Sequence, residues 1–179
     1  PTNGGRQLVV DVQSAPERLA AASSVAKVLG ESFQRNLVLA AEKGSSVSSR
    51  FVAMRALSRM GTAPSHLKIT KIRIEASGKP SYLPERFSVD PKEPVEIQFR
   101  NSNGFPLNVA ILEPGTEVEV GGLVTEGEVP ESTKVLAASP IIGSGQTTTV
   151  EFIAPSKPGD YPFLSTTPDH WETLRGVLT

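Results

Sequence analysis

The periodicity of the chain changes at His66, and that change limits the architectures open to it. Before His66, apolar residues recur at helical spacing; after it, they alternate with polar ones. Pro1 to Arg6 reads as an extended start, and Leu8-Val9-Val10-Asp11-Val12 as one short strand. Ser14, Pro16 and Glu17 open a helix: a capping hydroxyl, a proline in the first turn and an acid at the positive end of the dipole. Val25, Val28, Leu29, Ser32, Phe33, Asn36, Leu37 and Ala40 mark its apolar face, and Lys43-Gly44 ends it. Gly30 is a weak point at which this stretch can divide. Ser45 and Ser46 cap a second helix with Val47, Phe51, Met54 and Leu57 on one face, closed by Gly61 and Ala63-Pro64. Such an αα-hairpin has too little core to stand alone. It suits the last unit of a helical array, or a pair packed on the β-rich remainder of the chain. No repeat is visible within the chain, which favours the second.

From His66 onward the signals are those of short strands. Leu67, Ile69, Ile72 and Ile74 predict a first strand. Phe87-Ser88-Val89, a turn at Asp90-Pro91, and strictly alternating Val95-Glu96-Ile97-Gln98-Phe99 follow. Further strands are predicted at Leu107–Ile111, Thr147–Ile153, Tyr161–Phe163 and from Val177. Many short strands joined by Pro/Gly turns predict a mainly β chain, a β-sandwich preceded by a helical hairpin. The predicted division is 1–65, helical, and 66–179, β.

Charge follows the same boundary. Residues 1–73 hold 11 Lys/Arg and 4 Asp/Glu, a balance of +7; residues 74–179 hold 7 and 15, a balance of −8. The 113–131 excursion alone carries Glu113, Glu117, Glu119, Glu126, Glu128 and Glu131 and no basic residue. Opposite fields of this kind attract each other within one molecule or meet different partners. The basic residues are dispersed and not interleaved with aromatics, so nucleic acid is not an expected ligand. No apolar run approaches the roughly 18 residues that span a bilayer. The chain starts at Pro1 with no initiator Met and no charged-then-apolar leader, consistent with a removed leader or a fragment. It has no cysteine, and therefore no disulfide, thiolate nucleophile or Cys-ligated metal.

The segment from Tyr161 to Thr179 carries a more specific signal. Pro158-Gly159-Asp160-Tyr161-Pro162-Phe163 leads into Ser165, Pro168, His170, Leu174 and Gly176. This order resembles the last metal-binding loop of the cupredoxins, the blue-copper family of azurin and plastocyanin. There it reads Cys, Pro, His, a spacer, Met and Gly. Three earlier landmarks agree: Phe87–Pro91 before Val95–Phe99, Pro106-Leu107-Asn108-Val109 where the family has a His before Asn, and Ser139–Gln146 before Thr149–Phe152. The resemblance covers about residues 67–179 and implies a Greek-key cupredoxin sandwich. It places Leu107, Ser165, His170 and Leu174 at the copper-ligand positions, so that only His170 keeps a ligand side chain. A type 1 site needs a thiolate and two imidazoles with a weak axial Met. The resemblance therefore implies a cupredoxin without its cofactor. It is also similar to azurin-like terminal domains of large exported bacterial proteins that combine helical-repeat and cytochrome modules.

These readings predict a non-enzymatic docking or structural module in a periplasmic or otherwise extracytoplasmic assembly. Its partners would be other subunits or domains, a cytochrome or larger complex among them. Trp171, beside His170, is either a docking aromatic or a cover for the former pocket. Glu117, Glu119, Glu126 and Glu128 form the candidate acidic docking surface, the alternative being a solvated loop. A second functional reading is an electron-transfer protein with an altered metal site on His170. A hydrolase reading would use Ser165, His170 and Asp169, but no nucleophile-elbow motif is present. His66 reads as a linker residue.

Overall fold

A computed structural model describes residues 15–78, 81–125 and 127–179 of the chain. The strand expected at 8–12, the Ser14 cap and Glu126 lie outside the described residues.

Two helices come first. Helix α1 (Ala15–Lys43) runs unbroken through Gly30, which corrects the expected division. One glycine costs about 1 kcal/mol relative to alanine but keeps its backbone hydrogen bond, so the other residues carry the helix across it. The helix stops at Gly44. A Cβ there would come within 2.6 Å of the Ala40 carbonyl and 2.8 Å of Ser49 Oγ, so only glycine lets the two helices meet this closely. Helix α2 (Val47–Arg59) starts with a capping box: Ser49 N donates to Ser46 Oγ at 3.1 Å and Ser46 N to Ser49 Oγ at 3.2 Å.

The face of α1 that packs is Leu37, Val38 and Ala41, against Phe51, Met54 and Leu57 of α2. This differs from the expected stripe. Val28, Leu29 and Phe33 are exposed, at 59%, 64% and 58%. Helix α2 has 13 residues and α1 has 29, so at 1.5 Å per residue α2 reaches only about half-way along its neighbour.

The β strands form two sheets. Strands β1 (Thr70–Ser77), β2 (Ser81–Leu83), β4 (Pro94–Asn101) and β7 (Thr147–Ile153) lie in the order β2-β1-β4-β7, with β1 and β4 parallel. Strands β3 (Arg86–Phe87), β5 (Ala110–Leu112), β6 (Val135–Ala138), β8 (Tyr161–Leu164) and β9 (Arg175–Leu178) lie in the order β3-β9-β8-β5-β6. Alternation puts Ile74, Ile97, Phe99, Val150 and Phe152 of the first sheet against Ile111, Phe163 and Leu178 of the second, forming the main core.

The first strand is shorter than its apolar run predicts. Leu67 sits in a 3-10 turn (Ser65–Leu67), and Ile69 joins the helical core instead of the sandwich. The reason is parity. Leu67 and Ile69 are odd-numbered and Ile72 and Ile74 even-numbered, so an extended chain sends the two pairs to opposite faces. Helix α2 covers the outer face of the first sheet through Phe51, Leu57, Ile69 and Ile153. Strands β2 and β6 and a short helix α3 (Glu117–Gly121) have no counterpart in the sequence reading. Helix α3 covers the outer face of the second sheet, packing Val120 on Ala110, Leu112 and Leu164.

Candidate functional site

Two loops meet at one end of the sandwich. The first, Phe105–Asn108, enters β5; Leu107 bridges Ile142, donating N–H at 3.0 Å and accepting at 2.8 Å. The second, Ser165–Leu174, joins β8 to β9. It closes on itself: Ser165 N donates to Leu174 O at 3.1 Å and Leu174 N to His170 O at 2.8 Å. Asp169 takes φ 63° in the tight turn, a conformation Asp tolerates better than most residues.

Asn108 ties the two loops together and is fully buried. Its Oδ1 accepts from Thr166 N at 2.7 Å and from Ser165 Oγ at 3.3 Å, while its Nδ2 donates to Thr166 Oγ1 at 2.8 Å. Ser165 Oγ also shares a 2.8 Å hydrogen bond with Thr167 Oγ1. From the core side, the buried Tyr82 hydroxyl donates to Asn108 O at 2.6 Å. Burial pushes the Tyr82 phenol far above its ordinary value, with a small opposing contribution from Ser165.

Leu107, Ser165 and Leu174 are all fully buried. Leu107 and Leu174 belong to the main core, and their side chains offer no lone pair. His170 is half-buried and stacks on Phe105, with ring centres 4.2 Å apart and planes inclined by 9°. With Pro106, Ile141, Thr167 and Pro168, these two rings line an open recess of about 460 Å³. Among the described residues the Ser165 hydroxyl bonds to Asn108 and Thr167 and makes no hydrogen bond to His170, so the pairing a Ser-His hydrolase needs is not formed.

Trp171 is half-buried outside this cluster. A Cβ on Gly121 would overlap its indole ring, so the ring lies flat on the α3 backbone and packs with the Val120–Leu164 cluster. The Arg175 guanidinium lies 5.4 Å from the ring centre, and Arg175 Nε donates to Trp171 O at 2.9 Å. Glu117 is half-buried, and Glu119 and Glu128 are exposed near this side. Glu113 pairs with Lys134 at 2.9 Å, which holds the lysine above its ordinary value. The residues the sequence reading missed are Tyr82 and Phe105. Their roles depend on contacts with Asn108 and His170, 26 and 65 positions away along the chain.

Type 1 copper does not fit these side chains. It requires a soft thiolate and a second imidazole, and the positions offer two leucines and a hydrogen-bonded serine. Among the described residues no group of three or more His, Cys, Asp or Glu is gathered at a metal-binding distance.

Comparison with known proteins identifies the family and the fold. The profile of the copper binding proteins of the plastocyanin/azurin family matches residues 70–179. No curated protein matches the chain. Auracyanin from the photosynthetic bacterium Roseiflexus castenholzii is a similar solved structure, 28% identical with a TM-score of 0.57, the match covering 62% of this chain and 95% of that one. Auracyanin A from Chloroflexus aurantiacus, a "blue" copper protein, is 23% identical with a TM-score of 0.57, covering 62% and 98%. The azurin Az-iso2 of Methylomonas sp. strain J, 20% identical with a TM-score of 0.50, covers 62% and 95%. The chain belongs to the plastocyanin/azurin family, as a cupredoxin that has lost most of its type 1 copper ligands.

Proposed function

We propose that this chain is a copper-free cupredoxin module with a structural and docking role in an extracytoplasmic protein assembly, beside an electron-transfer partner. The observation that carries this reading is the packing of Leu107, Ser165 and Leu174. All three are fully buried, two as core side chains and one in a hydrogen-bonded network. At the positions the family uses for copper, the two leucines extend the main core, and that packing holds the end loops without an ion. Rigid loops around a half-exposed aromatic stack suit recognition better than chemistry. Trp171 and the glutamates at 117, 119, 126 and 128 form the proposed contact side.

The helical hairpin supplies a further contact. Val28, Leu29, Phe33 and Leu39 of α1 and Val52 of α2 are 47–64% exposed. This suits a terminal domain seated against another module of a larger protein. Extracytoplasmic location follows from the family and is part of the proposal.

The test is copper titration of the purified chain, followed by metal analysis and a visible spectrum. The expected outcome is no retained copper and no thiolate-to-copper colour. Stoichiometric, tightly held copper would overturn the reading. If that copper lacked the colour, a different site on His170 and an electron-transfer role would replace it.

A further inference from the structure

The two charged regions sit on opposite faces of the sandwich. Arg55, Arg59, Lys68 and Lys71 line an open recess of about 740 Å³ between the end of α2 and the start of β1, floored by Ala63 and Ile69. Two of the four cations are engaged. Arg55 pairs with Glu96 and Glu151, and Lys71 lies 3.3 Å from Glu96. Among the described residues Arg59 and Lys68 have no carboxylate partner. This recess lies on the helix-covered outer side of the first sheet, whereas α3 and its glutamates cover the outer side of the second. The sandwich core therefore lies between the recess and α3 with its Glu117 and Glu119.

We propose that the recess receives the acidic surface carrying Glu117, Glu119 and Glu128 of a second copy of this chain, in a head-to-tail contact. This rests on reading the acidic excursion as a docking surface and names its partner. Charge complementarity supports it. Among the described residues the recess sets four cations against only Glu96 and Glu151, the 117–131 stretch holds five glutamates and no basic residue, and the whole chain is only −1. Little net repulsion therefore opposes two copies, while the oriented fields favour basic face to acidic face. Because the two surfaces differ, the contact is heterologous and propagates into open chains or rings instead of stopping at a symmetric dimer. The apolar floor of the recess gives the glutamate stems a surface to cover.

Sedimentation velocity of the full chain over a concentration series tests this. Between about 20 mM and about 300 mM salt the screening length shortens from about 20 Å to about 6 Å. The expected result is concentration-dependent association at low salt, weakened at least about tenfold at high salt. Arg59→Glu with Lys68→Glu should abolish it, and so should Glu119→Lys with Glu128→Lys. Mixing those two variants should restore it, because the intact recess of one then meets the intact acidic surface of the other; recovery also shows that both variants are folded. A chain that stays monomeric at low salt overturns the proposal, as does association indifferent to salt and to these charges, the pattern expected from the α1 apolar face. A decalysine peptide separates self-association from acidic docking in general. Retention by the wild type and not by Glu119→Lys/Glu128→Lys leaves the docking surface standing if self-association fails; no retention removes both.

Discussion

Asn108 is a single residue that ties the two end loops together. It joins the β5 entry to the 165–174 loop through three side-chain hydrogen bonds to Ser165 and Thr166, all of them buried. Replacing it with alanine leaves the Thr166 amide and two hydroxyls short of partners inside the protein. The expected cost is about 2–4 kcal/mol, read as a shift of the urea midpoint with an unchanged slope. Tyr82→Phe removes one donor and leaves only the Asn108 carbonyl, so its cost should be smaller, about 1 kcal/mol. The two variants also differ with pH. The folded Tyr82 phenol is raised above its ordinary value of 10.0, so its contribution is fully present below pH 10 and is lost progressively as the pH rises above it. Stability against pH should therefore fall more steeply above pH 10 in the wild type than in Tyr82→Phe. Absorbance at the tyrosinate band should show Tyr82 ionising only with unfolding. Ser165, His170 and Leu174 could be assigned to ligand positions from the order of Pro168, His170 and Gly176, and Leu107 from its place before Asn108. The place of Tyr82 beside them could not be read, because its partner is brought to it only by the fold. The register itself is testable. Leu107→His, Ser165→Cys and Leu174→Met together should yield a protein that binds copper with a thiolate colour; a folded triple variant that stays colourless with copper present would show the positions to be misassigned.

At the scale of elements, one side chain adds ion pairs to the apolar joint between hairpin and sandwich. Glu96 and Glu151 stand directly opposite each other on β4 and β7, a like-charge pair that disfavours the sheet. Arg55 of α2 pairs with both. Its guanidinium holds the Glu96 carboxyl below the ordinary value against the opposing effect of partial burial, and Lys71 adds to the shift. A depressed carboxylate contributes above its unfolded value and loses that contribution as the pH falls below about 4.5. Arg55→Met keeps much of the stem's packing and removes the charge. It should cost about 1 kcal/mol at neutral pH, modest because Arg55 is a third exposed. The difference from wild type should shrink as the pH is lowered through the Glu96 titration, a trend that thermal melts at stepped pH would show. The sequence made both elements legible, the helix from its caps and the strands from their alternation. It did not reveal their joint. Arg55 is 41 and 96 residues from its partners, and nothing local distinguishes it from Arg50 or Arg59. The same limit hid the packed face of α1. Leu29 and Phe33 are the more apolar choice by spacing, but α2 reaches the Leu37–Ala41 end first because the Gly44 turn places it there.

Across the whole molecule, two cores of unequal size share one sheet. Among the described residues the sandwich core gathers 17 buried residues, whereas the helical core has six, including Phe51, Met54 and Leu57. Among the described residues, the α1 stretch beyond the reach of α2 carries exposed apolar side chains such as Val28 and Leu29. Local stability follows buried contact, so these three regions should open at different free energies. Native-state hydrogen exchange is expected to rank them: amides of the first half of α1 fastest, α2 intermediate, and β4 and β7 slowest, near the global unfolding limit. Leu57→Ala removes buried helical-core volume and should cost about 2–5 kcal/mol. Its effect should appear first as faster exchange in α2 and the end of α1, with β8 and β9 barely changed. A partner seated on Leu29 and Phe33 would reverse the ranking, slowing the first half of α1 more than any other region, because binding stabilises most what was least stable before. If α1 and the strands instead exchanged at one common rate in the free chain, the hairpin and the sandwich would be a single cooperative unit. The proposed division near residue 66 would then describe only a change of secondary structure.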